Sequence, residues 1–135
     1  MDLAASLDKI LASDHEFGEM FYDVFFEQYP VAKDYFEGVN MRNQALMLSV
    51  SLRLIGDYHK RGFAAIGHYL QILGTRHADR RVPQEMYPLW RDSLLTTLDK
   101  FHNGDWSGAL ANEWSEAIEA ISQVMFEGYD KRTGL

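Results

Sequence analysis

The sequence predicts an all-α domain, and three observations carry that expectation. Apolar residues recur at spacings of three and four in every long segment, as one buried face of a helix requires. Strict two-residue alternation, the mark of half-buried strands, is missing. The 135 residues contain only three prolines, and each falls where a helix would begin or end. A chain of this length is expected to form one domain, residues 1–135, with a real core but no room for a second catalytic module.

The elements follow in order. Phe17, Phe21, Val24 and Phe25 share one apolar face, which ends near Pro30. Pro30 pre-sets its backbone for a short, tight helix carrying Tyr35 and Phe36, after which Glu37-Gly-Val-Asn40 reads as a turn and a helix cap. Gln44, Leu48, Leu52 and Ile55 form the next stripe, a glutamine at the head of an apolar face. The pattern is expected to break from Gly56 to Gly62 and to resume with Ile66, Leu70, Leu73 and His77. Pro83 or Pro88 opens a segment in which Tyr87, Trp90, Leu94, Leu98 and Phe101 share a face, closed by Asn103-Gly-Asp105. The last helix carries Leu110, Trp114, Ala117, Ile118, Ile121, Val124 and Met125. Repeats, linkers and low-complexity tracts are missing.

Composition bounds the function. The chain is 47% hydrophobic and 13% aromatic, yet no apolar run approaches the roughly 18 residues that span a bilayer. It begins Met1-Asp-Leu-Ala-Ala-Ser-Leu-Asp-Lys9, without the charged-then-apolar pattern of a secretory signal, and it has no cysteine. A cytoplasmic location is expected. A net charge of −7 argues against nucleic-acid or membrane partners, and Arg76, Arg80, Arg81 and Arg91 are the only notable basic concentration.

His77 ends an apolar stripe inside Leu73-Gly-Thr-Arg-His-Ala-Asp-Arg-Arg-Val-Pro-Gln-Glu-Met-Tyr87. Taken alone, such a histidine is most often a core or helix-end residue; Gln44 can be a buried amide, and Tyr22 a core aromatic. Their joint arrangement says more. Phe21-Tyr22-Asp-Val-Phe-Phe-Glu-Gln-Tyr-Pro30, Phe36, Asn40-Met-Arg-Asn-Gln44, His77 with Val82 and Tyr87 behind it, and Trp106 with Trp114 stand in sequence at compatible spacing. Over about Phe21 to Met125 the chain thereby resembles bacterial single-domain haemoglobins and the haem domain of flavohaemoglobins.

That resemblance implies a globin fold of about six to eight helices around haem b, with His77 as iron ligand and the opposite side open to oxygen, nitric oxide or carbon monoxide. It puts Phe36, Leu48, Val82 and Tyr87 against the porphyrin and makes Arg76, with Arg80 and Arg81 close by, available to the propionates. Tyr22 and Gln44 become the distal donors, whose O–H and N–H stabilise a ligand that gains negative charge. An alternative register sets Arg42 at the distal position with Leu46 behind it. There is one departure. In flavohaemoglobins a proximal tyrosine and a glutamate late in the last helix form a hydrogen-bonded set with the proximal histidine; Tyr87 matches the tyrosine, but the place of the glutamate holds Tyr129, with Glu127 two residues away on another face. A weaker electron push from His77 follows, which suits reversible binding better than O–O cleavage.

Three functions remain open on the sequence. The first is a globin that reversibly binds oxygen, as a monomer or homodimer. The second is a nitric oxide dioxygenase, which would need a separate reductase. The third is the gas-sensing domain of a longer protein, since Asp130-Lys-Arg-Thr-Gly-Leu135 is similar to the Asp-x-Leu-Thr-Gly-Leu that opens diguanylate cyclase domains, with Arg132 in place of the leucine. His15, His59, His68 and His102 form neither His-x-x-x-His nor His-Glu-x-x-His, so no zinc site is expected. They are assigned to a turn, an interhelical break, a helix interior and a helix end.

Overall fold

A computed structural model describes residues 1–133, and Gly134 and Leu135, which complete the cyclase-like hexapeptide, lie outside the described residues. Six α-helices run in the order α1 (Leu3–Ala12), α2 (Glu16–Gln28), α3 (Met41–Arg61), α4 (Ala64–Asp79), α5 (Met86–His102) and α6 (Gly108–Thr133), with 3-10 turns at Pro30–Phe36 and Asn103–Asp105. The described residues contain no strand, and none of their helices is long and apolar enough to cross a membrane.

Local chemistry explains most boundaries. Asp2 caps α1 by accepting from the Ala5 N–H at 2.9 Å, and Leu3, Leu7 and Ile10 bury its inner face. Pro30 starts the tight turn after α2, where its missing N–H costs nothing. Asn40 caps α3 by accepting from the N–H groups of Arg42 and Asn43 at 3.1 and 3.2 Å. Pro88 lies in the first turn of α5, where proline is tolerated, while Pro83 precedes the helix. Trp106 falls just before α6 and stacks on His102 at 6.3 Å.

One boundary differs from expectation. The break placed from Gly56 to Gly62 does not occur; α3 continues to Arg61 and stops at Gly62, whose φ of +63° ends the helix. Gly56 interrupts the apolar pattern for a packing reason, because a Cβ there would lie 2.4 Å from Leu7 Cδ1 of α1. His59 therefore belongs to the last turn of α3 and is exposed.

The core gathers Ile10, Phe17, Phe21, Leu52, Leu94, Leu98, Leu110, Trp114 and Ile118 from five helices. A polar knot ties α1 into it: the Ser6 hydroxyl lies 2.6 Å from His102 Nε2 and accepts from Trp114 Nε1 at 3.0 Å, all three residues being buried. His102 thus has a structural partner, in keeping with its assignment as a plain helix-end residue. Helix α4 is pressed onto α6, and α3 rests on α2 and α6, whereas α3 and α4 touch each other only sparingly. The helices bearing Gln44 and His77 are thereby left apart.

Candidate functional site

Tyr22 projects from α2 into the aromatic layer that the sequence places before Pro30. Its ring meets Phe21, Phe26 and Phe36 with centroids 4.9, 5.6 and 5.2 Å away. Packing locks the ring, so the phenol oxygen is presented at a defined point. Gln44, in the first turn of α3, donates from Nε2 to that oxygen at 2.9 Å. Burial pushes the phenol up to about 12, against the opposing effect of the Gln44 bond, so Tyr22 keeps its proton. Because its oxygen accepts from Gln44, the phenol hydrogen is available to a second acceptor. Leu48, one turn beyond Gln44, is buried; Arg42 and Leu46 are exposed, and it is Gln44 that reaches Tyr22.

His77 lies in the last turn of α4, half-buried, with Nδ1 at 2.7 Å from the Leu73 carbonyl. A carbonyl only accepts, so Nδ1 carries the proton and Nε2 a free lone pair. Burial holds the imidazole below its usual range, the Leu73 bond opposes this, and nearby Arg80 adds to the lowering. Neutral imidazole with an unprotonated Nε2 is the form that donates to a metal. Helix α4 then ends in a Schellman turn: Arg81 takes a φ of +62°, its N–H donates to Ala78 and that of Val82 to the His77 carbonyl, both at 3.0 Å.

Behind this turn, Tyr129 donates its hydroxyl to the Val82 carbonyl at 2.6 Å. Tyr87 sets its ring 6.1 Å from His77 and 4.8 Å from Phe126, and its buried hydroxyl makes no well-formed hydrogen bond. Burial, followed by the neighbouring Tyr129, keeps the Tyr87 phenol protonated well above the usual range. Glu127 accepts from Gln71 Nε2 at the surface. Among the described residues no carboxylate is bonded to His77 or Tyr87.

Several of the expected residues come together. Tyr22, Gln44 and Phe36 form one cluster, and His77, Val82 and Tyr87 form another; Arg76 is exposed. Sequence reasoning missed the Leu73 carbonyl and the Tyr129–Val82 bond, since backbone acceptors leave no signature in side-chain identity. It also missed Met47, 59% exposed, one turn from Gln44. On α4 the stripe of Ile66, Leu73 and His77 is likewise only half-covered. Two open surface clefts lie elsewhere: one of about 390 Å³ includes Leu3, Leu7, Gly56 and Arg53, and the other Arg91 and Glu119. Neither includes Tyr22, Gln44 or His77. The donor set suits a flat apolar group carrying a metal: one free imidazole nitrogen, two protonated hydrogen-bond donors, and apolar flanks that protein does not fully cover.

Known proteins point the same way. The profile of the globin family matches residues 19–125, which takes in both clusters. The chain is similar to a leghemoglobin of Psophocarpus tetragonolobus, 25% identical over 133 residues, covering 93% of this chain and 91% of that one. The chain is a member of the globin family, with an all-α globin fold, and that membership implies a haem cofactor and diatomic gas ligands.

Proposed function

We propose that this globin binds haem b with His77 on iron and holds molecular oxygen reversibly on the opposite side, under Tyr22 and Gln44. Ferrous haem supplies the reversible bond to a diatomic gas; the chain supplies position, charge and dryness. Leu73 fixes the His77 tautomer and leaves Nε2 free, the atom that would hold the haem iron. Gln44 holds the Tyr22 oxygen, and the Tyr22 proton is offered to a ligand that gains negative charge. Carbon monoxide gains less charge and benefits less. Phe36, Leu48, Val82 and Tyr87 form the apolar walls, and Arg76 meets the propionates. In this reading the distal pair sets the chain beside the bacterial single-domain haemoglobins.

The observation that carries oxygen binding is the neutral acceptor on His77. Nδ1 donates to a backbone carbonyl, and Tyr129, a neutral phenol in the place of the glutamate, donates to the Val82 carbonyl. An imidazole bonded to a carbonyl is a weaker electron donor than one bonded to a carboxylate, so retention of oxygen is favoured over cleavage of its bond. The test is an absorption spectrum of the dithionite-reduced protein, alone and with oxygen or carbon monoxide, repeated for His77→Ala. The parent is expected to show a Soret band that shifts reversibly with each gas, and the variant to lose it or regain it only with added imidazole. An unchanged spectrum in the variant overturns the assignment. Sustained nitric oxide consumption with a generic reductase would instead favour the dioxygenase.

A further inference from the structure

Three arginines crowd the end of α4. Arg76, Arg80 and Arg81 are all exposed, and none has an ion-pair partner among the described residues, whereas the chain as a whole carries −7. A local excess of positive charge on an acidic protein is a focused field, able to orient one partner by one face. Arg81 adds a second observation. It holds φ at +62°, at the one position of the Schellman turn where glycine is favoured, so the chain keeps a cation where its backbone would be more relaxed without a side chain. Location is the third. The cluster flanks His77 within one turn on either side, so anything docked there sits against the proximal edge of the site.

An oxygen-binding haem stops working once its iron is ferric, and return to the ferrous state takes one electron from outside this chain. We propose that Arg80 and Arg81, bordered by Arg76, form the docking surface for an acidic one-electron donor protein of the flavin or iron–sulfur type. This rests on the haem reading above. The balance is simple: the donor loses one electron and ferric iron gains it. A nucleic acid or an anionic membrane is a poorer match, because each would extend beyond three arginines onto the acidic remainder of the surface.

The test follows the reduction of the ferric haem protein by a reduced plant-type [2Fe–2S] ferredoxin across a range of ionic strength, with complex formation measured in parallel by titration calorimetry using oxidised ferredoxin. The parent rate is expected to fall steeply with salt. The double variant Arg80→Gln/Arg81→Gln is expected to lose about tenfold in rate and in affinity at low salt and to show little salt dependence. Lys60→Gln/Arg61→Gln makes the same change in net charge in the last turn of α3, before the start of α4, whose 16 residues span about 24 Å, and should match the parent. Dithionite should reduce the parent and the Lys60→Gln/Arg61→Gln variant at similar rates, and the Soret absorbance of each protein normalises its rate to the haem it holds. Equal behaviour of the two double variants overturns the docking surface, as does parent binding to phosphatidylserine vesicles or a DNA duplex but not to ferredoxin. A parent with no Soret shift under dithionite overturns the haem reading, while calorimetry still reports whether the arginines recognise the acidic protein.

Discussion

The hydrogen bonds that hold His77 and Val82 run to main-chain carbonyls, whereas Tyr22 and Gln44 are held by each other. Around His77, the Leu73 carbonyl accepts from the ring Nδ1–H, the Val82 N–H caps the His77 carbonyl, and Tyr129 pins Val82 from α6. Helix α4 lies so close to α6 that a Cβ on Gly74 would stand 2.0 Å from the Met125 carbonyl, and one on Gly128 2.1 Å from that of Gln71. Thr75 adds a bond to the Gly128 carbonyl at 2.9 Å. The side bearing Tyr22 and Gln44 also has one close crossing, Gly18 over Ala45, but its polar groups are two side chains set in a layer of rings. Backbone contacts leave His77 little freedom. A side-chain pair can open and close without moving a helix, which suits the side where a ligand comes and goes.

The comparison can be broken first at the proximal glycines. Gly74→Ala would drive a methyl group into main chain that cannot yield, and a loss of about 3 kcal/mol or more is expected in denaturant unfolding, with weakened haem retention. A loss under about 1 kcal/mol would show that α4 can lift from α6, and the rigid proximal side would go with it. Paired tyrosine variants sharpen the contrast. Tyr22→Phe should leave stability nearly unchanged but speed oxygen release about tenfold, the equivalent of one bond of about 1.4 kcal/mol. Tyr129→Phe should do the reverse, costing about 1 kcal/mol by leaving the Val82 carbonyl without its donor, with oxygen release altered much less. Stopped-flow release and urea midpoints read both, and exchanged phenotypes would refute the division. The smallest effect runs the other way: Arg81→Gly should raise stability by up to about 1 kcal/mol, since glycine takes the positive φ without strain.

Much of the site was legible before the fold. Pro30 announced a tight turn and Asn40 a cap because each acts within a few residues of itself. His77 and Gln44 stood out as polar ends of apolar stripes, a pattern that a helical repeat makes visible. Gly56 misled for a related reason. Its lack of a side chain looks like a helix breaker in one dimension, and only the crossing of α1 shows it to be a contact. The knot of Ser6, His102 and Trp114 was equally hidden, since its members lie 96 and 108 residues apart.

The sequence by itself therefore indicated the helices from α2 onward, but not α1 or the far half of α3, together with their apolar faces and the candidates His77, Tyr22 and Gln44, because periodicity, caps and turn residues are short-range physics written in side-chain identity. Tertiary structure alone decided which nitrogen of His77 is free, that Gln44 rather than Arg42 meets Tyr22, and that Tyr129 reaches the Val82 carbonyl. Those outcomes depend on where backbone carbonyls and distant helices come to rest, and every residue carries the same carbonyl, so no pattern of side chains could announce them.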